Sequence, residues 1–158
     1  CRMIDANCAQ MLRCLTTDAD VPRPVMQKAL EAATDATFNT LNVDGATSTN
    51  DTAMLLASGK RGQADPDEFA DALLAACREL TMQMARDAEG MTRMAHLAVT
   101  GAPTHEEARI AAKNIAVNNP VICTCYRGHH HSGRLTGGRG AAGIEAVGGG
   151  CTYHPYGR

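Results

Sequence analysis

Apolar positions along this chain recur with two different periods, and the switches between them predict the elements. Residues 9–17, carrying Met11, Leu12, Leu15 and Thr17, read as a strand. Asp20, Val21, Pro22, Arg23 and Pro24 then punctuate the chain and open a helix. Val25, Met26, Ala29, Leu30, Ala33, Ala36 and Thr37 recur at helical spacing to about Phe38. Residues 41–44 and 53–58 read as two strands flanking a polar turn, and residues 59–64 as a loop. Asp65-Pro66-Asp67-Glu68 is a helix start, with Asp at the N-cap, Pro in the first turn and acids at the positive end of the dipole. Phe69, Ala72, Leu73, Ala76, Cys77 and Leu80 form the buried stripe of that helix, and Gly90 is placed to stop it near Glu89. Residues 95–100 alternate as a strand. Thr104-His105-Glu106-Glu107 has the form of a capping box, with a helix to about Asn118 that Pro120 breaks. Residues 121–126 read as a last strand. The resulting order, β, α, β, β, α, β, α, β, is that of an α/β or α+β protein with layered helices and strands. From Arg127 onward the chain turns Gly-rich and its periodicity fades, so no element is assigned there.

Bulk composition narrows the class. The 158 residues are enough for one domain with a substantial core, and 44% of them are hydrophobic. Aromatics make up only 3% and Trp is absent, so Ala, Leu, Val and Met must fill most of that core. A net charge of −2 argues against a general nucleic-acid binder. No apolar run is long enough for a membrane span, and no secretory signal is visible. The first residue is Cys1 rather than Met, which suggests a processed product or part of a longer chain. Seven cysteines, an odd number in no familiar disulfide spacing, point to a reducing compartment.

The candidate chemistry concentrates in one segment. Asn42-Val43-Asp44-Gly45-Ala46 leads into Thr47, Ser48, Thr49, Asn50, Asp51 and Thr52, and all six of the latter carry a hydroxyl, amide or carboxylate. Such side chains bond their own backbone and shape tight turns. Wedged between apolar stretches, the segment is either an over-built loop or the wall of a site. Elsewhere, Cys123, Cys125, Cys151, His129, His130, His131 and His154 could supply thiolates and imidazoles. Their spacings do not fit a standard zinc site, and no metal is assigned. Gly138, Gly140 and Gly143 spell a dinucleotide fingerprint only as text, because no strand precedes them. Cys77 and the methionines Met82, Met84, Met91 and Met94 read as core filler. Arg109 and Lys113 read as a solvated helix face.

The segment also carries a resemblance. Asn42-Val43-Asp44-Gly45, then Ser48-Thr49-Asn50-Asp51-Thr52, then Leu55-Leu56-Ala57-Ser58-Gly59 resembles the signature of the ornithine acetyltransferase (glutamate N-acetyltransferase) family. Supporting pieces stand in order. Met3-Ile4, Asn7, Ala9 and Met11-Leu12 are similar to the family's cleavage junction, and Leu15-Thr16-Thr17-Asp18-Ala19 to the segment after it. Asp87-Ala88-Glu89-Gly90 matches an acidic motif. Ala108-Arg109, Ala112-Lys113 and Ile115-Ala116 match a helix, and Gly133-Arg134 falls at a late Gly-Arg pair.

The resemblance implies a layered αββα sandwich like that of the N-terminal-nucleophile-like family members. It also implies an acetyltransferase of arginine biosynthesis that cuts its own precursor before a Thr. That Thr then carries acetyl from N-acetylornithine to glutamate as an ester, with its own amine as base and two backbone donors at the oxyanion. By position, residues 1–9 would be the tail of a first chain, 10–126 the catalytic part of the second, and 127–158 a Gly-rich continuation. Glu89 would contact the amino-acid substrate, and Ser48, Thr49, Asn50, Asp51 and Thr52 would form the site wall. No cofactor is implied, with acetyl-CoA a second acetyl donor in bifunctional members. The implied partners are the first chain and a second copy of the heterodimer, with no nucleic acid or membrane. The implied place is the cytoplasm, or the mitochondrial matrix in fungi. The nucleophile position falls on Gln10, which has no hydroxyl. Either the active protein carries Thr there, or the chain is a catalytically dead, diverged scaffold, of which a form stapled by metal at the Cys/His-rich end is one version.

Overall fold

The computed structural model describes residues 12–42, 51–88, 94–127 and 151–156, with side-chain surroundings as far as Cys123. The chain divides into two compact units, residues 1–89 and 90–158.

The first unit is a strand–helix–strand–helix sequence: β1 (Leu12–Asp20), α1 (Arg23–Ala36), β2 (Thr52–Gln63) and α2 (Pro66–Arg86). A single 3-10 turn, Phe38–Thr40, follows α1. The two strands run parallel, in a register that sets Leu12 opposite Thr52, Arg13 opposite Ala53 and Leu15 opposite Leu55. Parallel pairing requires a crossover, which α1 supplies. β1 alternates strictly at its start, with Arg13 and Leu15 turned inward and Leu12 and Cys14 outward. The inward side meets a core of Leu15, Val21, Ala29, Ala33, Phe38, Phe69, Leu73 and Cys77. Ala29 and Ala33 are one turn apart on α1, and Phe69, Leu73 and Cys77 follow the same spacing on α2. The small alanines keep α1 close to its neighbours, while Phe38 and Phe69 fill the space between.

The anticipated strand at 53–58 is longer than its sequence pattern, reaching Gln63 across the stretch expected to be a loop. Its pairing with β1 shifts between Thr17 and Ala19, from Thr17 opposite Ala57 to Ala19 opposite Gly62. Gly59 and Gly62 take positive φ of 68° and 92° in this bulged stretch. The glycines therefore bend and twist the strand rather than end it. The Asp65 cap is as anticipated: its carboxylate accepts from the backbone N–H of Asp67 at 2.9 Å and of Glu68 at 3.0 Å. α2 closes at Arg86, with Asp87 as its C-cap.

The second unit contains β3 (Met94–Val99), α3 (His105–Ala116), α4 (Asn119–Arg127) and β4 (Cys151–Tyr156). The capping box forms in full. The Thr104 hydroxyl accepts from the Glu107 N–H at 3.2 Å, and the Glu107 carboxylate accepts from the Thr104 N–H at 3.1 Å. The expected strand at 121–126 is instead α4. Pro120 lies in its first turn, where no N–H is needed, and so begins a helix as well as interrupting one. The Asn118 carbonyl accepts from Val121 at 2.9 Å and Ile122 at 3.0 Å, which starts the new turn. Val121 is buried, as are Ala111 and Ile115 on α3, while Ile122 and Cys123 are both exposed, which breaks the alternation of a strand. β4 pairs antiparallel with β3, from Met94 opposite Tyr156 to Val99 opposite Cys151. It lies in the stretch to which the sequence pattern assigned no element. No helix among the described residues is long and apolar enough to cross a membrane.

Candidate functional site

The chemically distinctive feature of the first unit is a charged pair inside its core. Arg13 is carried inward by the alternation of β1, beside Leu15. Its Nη2 donates to Asp51 Oδ2 at 3.3 Å, and the side chains are only 6% and 5% exposed. Its guanidinium carbon lies 4.5 Å from the centroid of the Phe38 ring. A cation over an aromatic face is attracted by the ring quadrupole, more so away from water. The Arg13 Nε is buried without a hydrogen-bond partner among the described residues. Desolvating a charge is costly, and one contact at 3.3 Å is long for a charge-assisted hydrogen bond.

Cys77 on α2 also lies close enough to feel Arg13. Burial pushes its thiol pKa up from the ordinary value of 9.0, and the nearby Arg13 charge partly opposes this. The thiol therefore stays protonated and inert in the fold. The sign of its linkage follows. The neutral thiol favours the folded state at all pH values below 9.0, and this contribution is lost as pH rises above that value and the unfolded chain ionises first. Stability should thus fall as pH rises above 9.0, and a Cys77→Ala variant should fall less steeply. Denaturant unfolding at pH 8 and pH 10 would check this, and equal slopes in the two proteins would refute it. Cys14, Cys77 and Cys123 are all free thiols, with Cys14 and Cys123 exposed.

Of the residues anticipated for the site, Asp51 and Thr52 are described. Asp51 joins the buried pair, and Thr52 begins β2 opposite Leu12 with its side chain exposed. Gln10, Ser48, Thr49, Asn50 and Glu89 lie outside the described residues, as do His129, His130 and His131 of the proposed metal staple. Among the described residues no cluster of three metal-binding side chains occurs. Cys77 sits in the core as expected. Arg109 pairs with Glu106 one turn earlier at 3.1 Å on the surface of α3. An open groove beside α1 is lined by Gln27, Glu31, Asp35, Asn39 and Ala53, among others. Its carboxylates are engaged on their own surface: Gln27 donates to Glu31 at 2.7 Å and Asn39 to Asp35 at 2.6 Å. Arg13 is the residue that sequence reasoning missed. Its place two residues before Leu15 points it inward only once Leu15 is known to face the core.

Comparison with known proteins places this arrangement. The model of the ArgJ family matches residues 1–149. The arginine biosynthesis bifunctional protein ArgJ of Geobacillus stearothermophilus is 41% identical over 150 residues, covering 90% of this chain and 37% of its own length. The glutamate N-acetyltransferase of Methanothermobacter thermautotrophicus is 40% identical over 143 residues, covering 90% of this chain and 35% of its own length. The crystal structure of ArgJ from Bacillus halodurans matches with a TM-score of 0.77 at 36% identity, over 86% of this chain and 67% of that one. The α/β class expected from the sequence is thus that of a solved relative. The chain spans a little over a third of the length of these curated relatives, 37% and 35%. With a family match that runs from residue 1 to residue 149, this chain belongs to the ArgJ family.

Proposed function

We propose that this chain is the larger part of the second chain of a glutamate N-acetyltransferase, moving acetyl from N-acetylornithine to glutamate in arginine biosynthesis. The observation that carries the reading is the extent of the family match. It spans residues 1–149, a range that includes positions 9 and 10, the segment 48–52 and Glu89. The names of the relatives, bifunctional ArgJ and glutamate N-acetyltransferase, support the same activity. They lend no support to a dead scaffold.

The chemistry asks for a hydroxyl at position 10. After cleavage before that residue, its oxygen attacks the acetyl carbonyl of N-acetylornithine while its own amine accepts the proton. The tetrahedral intermediate collapses, ornithine leaves with a proton on its nitrogen, and an acetyl ester remains. The glutamate amine then attacks the ester, and the hydroxyl is restored. Splitting the transfer in two replaces one difficult amide exchange by two easier steps. The oxyanion donors would come from the first chain, encoded by residues before Cys1. Glu89 would hold a substrate ammonium, and acetyl-CoA would serve as a second acetyl donor in a bifunctional enzyme. The mature assembly would hold two copies of each chain in the cytoplasm, with residues 1–9 left on the first chain and 10–126 as the catalytic part of the second.

Gln10 cannot perform these steps, so the reading requires Thr at that position in the active protein. Intact-mass and N-terminal analysis of the protein purified from its source tests it. A chain beginning at position 10 with Thr is the expected result. A continuous chain through Ala9 and a confirmed Gln10 would overturn it.

A further inference from the structure

Arg13 is poorly explained as a stabilising residue. A buried ion pair rarely outperforms apolar side chains of the same volume, because both charges lose their water. Here the cost is compounded by an Arg13 Nε left without a hydrogen-bond partner among the described residues. The surrounding core of Leu15, Phe38 and Cys77 would accept an unbranched apolar side chain. What the ion pair supplies, and an apolar contact does not, is direction. Arg13 stands opposite Ala53 in the register of the sheet, yet its guanidinium reaches back to Asp51, two residues earlier. The Phe38 ring, itself fully buried, lies against the guanidinium, whose carbon is 4.5 Å from the ring centroid. The link therefore ties the start of β1 to the last residues of the 48–52 segment. Position 10 lies three residues before Arg13, at most about 11 Å of extended chain.

We propose that Arg13 and Asp51 are positioning residues for the reaction at position 10: their buried pair sets the end of the 48–52 segment against the strand that follows the nucleophile. The proposal rests on the acetyltransferase reading and adds to it two residues that act through others rather than on substrate. A misplacement of about 1 Å at such a point can cost on the order of 100-fold in rate without unfolding the protein.

The test uses the full-length protein with Gln10→Thr as the parent, and compares Arg13→Met, Arg13→Lys, Asp51→Asn and the double variant Arg13→Met/Asp51→Asn. Three quantities are read: the first-order rate of self-cleavage by intact mass, kcat and KM for acetyl transfer, and the melting temperature. Arg13→Met is expected to slow cleavage and lower kcat by about 10-fold or more, with KM changed by less than about threefold. Arg13→Lys should recover part of the rate by keeping the charge. The double variant should melt no lower than Arg13→Met, since no lone charge remains buried, yet stay as slow. That separation of rate from stability is what a merely structural role would not produce. Parent-like rates in a folded Arg13→Met protein would overturn the proposal, as would a double variant that regains rate together with stability. Should Arg13→Met not fold, Asp51→Asn carries the test through its shape-preserving loss of charge, and an unchanged rate there overturns the proposal equally. If the parent itself neither cleaves nor transfers acetyl with Arg13 intact, the acetyltransferase reading fails, and the failure is visible before position 13 is touched.

Discussion

Replacing Phe38 by Ala should cost about 3–5 kcal/mol, a large part of the stability of a domain this size. The ring is wholly buried, with 0% exposure, in the 3-10 turn that follows α1. Only two Phe occur in the chain, and both Phe38 and Phe69 belong to the core of the first unit. With so few aromatics, neighbours such as Ala29 and Ala33 are too small to close the space a lost ring would leave. The removal also uncovers one side of the Arg13 guanidinium, which adds the loss of a cation–π contact. Phe38→Leu keeps most of the volume and should cost roughly half as much. Denaturant unfolding followed by the helical signal measures both. A loss below about 1 kcal/mol for the Ala variant would contradict the core placement of Phe38.

Gln10→Thr in the full-length protein should change the outcome qualitatively, from one continuous chain to two. An amide side chain cannot attack the preceding peptide bond and hand on an acyl group, whereas a hydroxyl can. Mass spectrometry of the variant should show two pieces meeting at residues 9 and 10, and denaturing electrophoresis should show the same pair. Gln10→Ala provides the control, since it removes the amide without adding a nucleophile and should remain uncleaved. A Thr variant that stays intact after prolonged incubation would remove self-processing from the proposed mechanism.

Much of the fold can be read from local sequence where a local interaction decides the structure. The Asp65 cap and the Thr104–Glu107 box are satisfied within four residues of chain, so their patterns predict the helix starts directly. The stripe of Phe69, Leu73 and Cys77 likewise specifies its own helix and its own buried face. The misread elements are those whose state depends on distant partners. Residues 121–126 are rich in β-formers, yet they form a helix that Pro120 opens and whose Val121 is buried. β4 becomes a strand by pairing with β3, more than 50 residues earlier, and its own pattern is silent. Gly59 and Gly62 look like strand breakers until the register with β1 shows them inside a bulge.

The same division holds for the candidate site. The 48–52 signature and the family it marks are visible in the linear order of residues, because the resemblance lies in that order and the family match bears it out. The role of Arg13 is not. An alternating strand has two faces, and the chain alone would place the apolar Leu12 inside and the charged Arg13 in water. The structure does the reverse, with Leu12 78% and Arg13 7% exposed. The side-chain period of a strand is two, so Leu15 pointing inward takes Arg13 with it and turns Leu12 out. Local sequence thus determined the helix caps, the helical stripes and the family. Tertiary structure decided which strand face is buried, and so brought a cation and the carboxylate of Asp51 together, because burial is a property of the packed layers rather than of the residue.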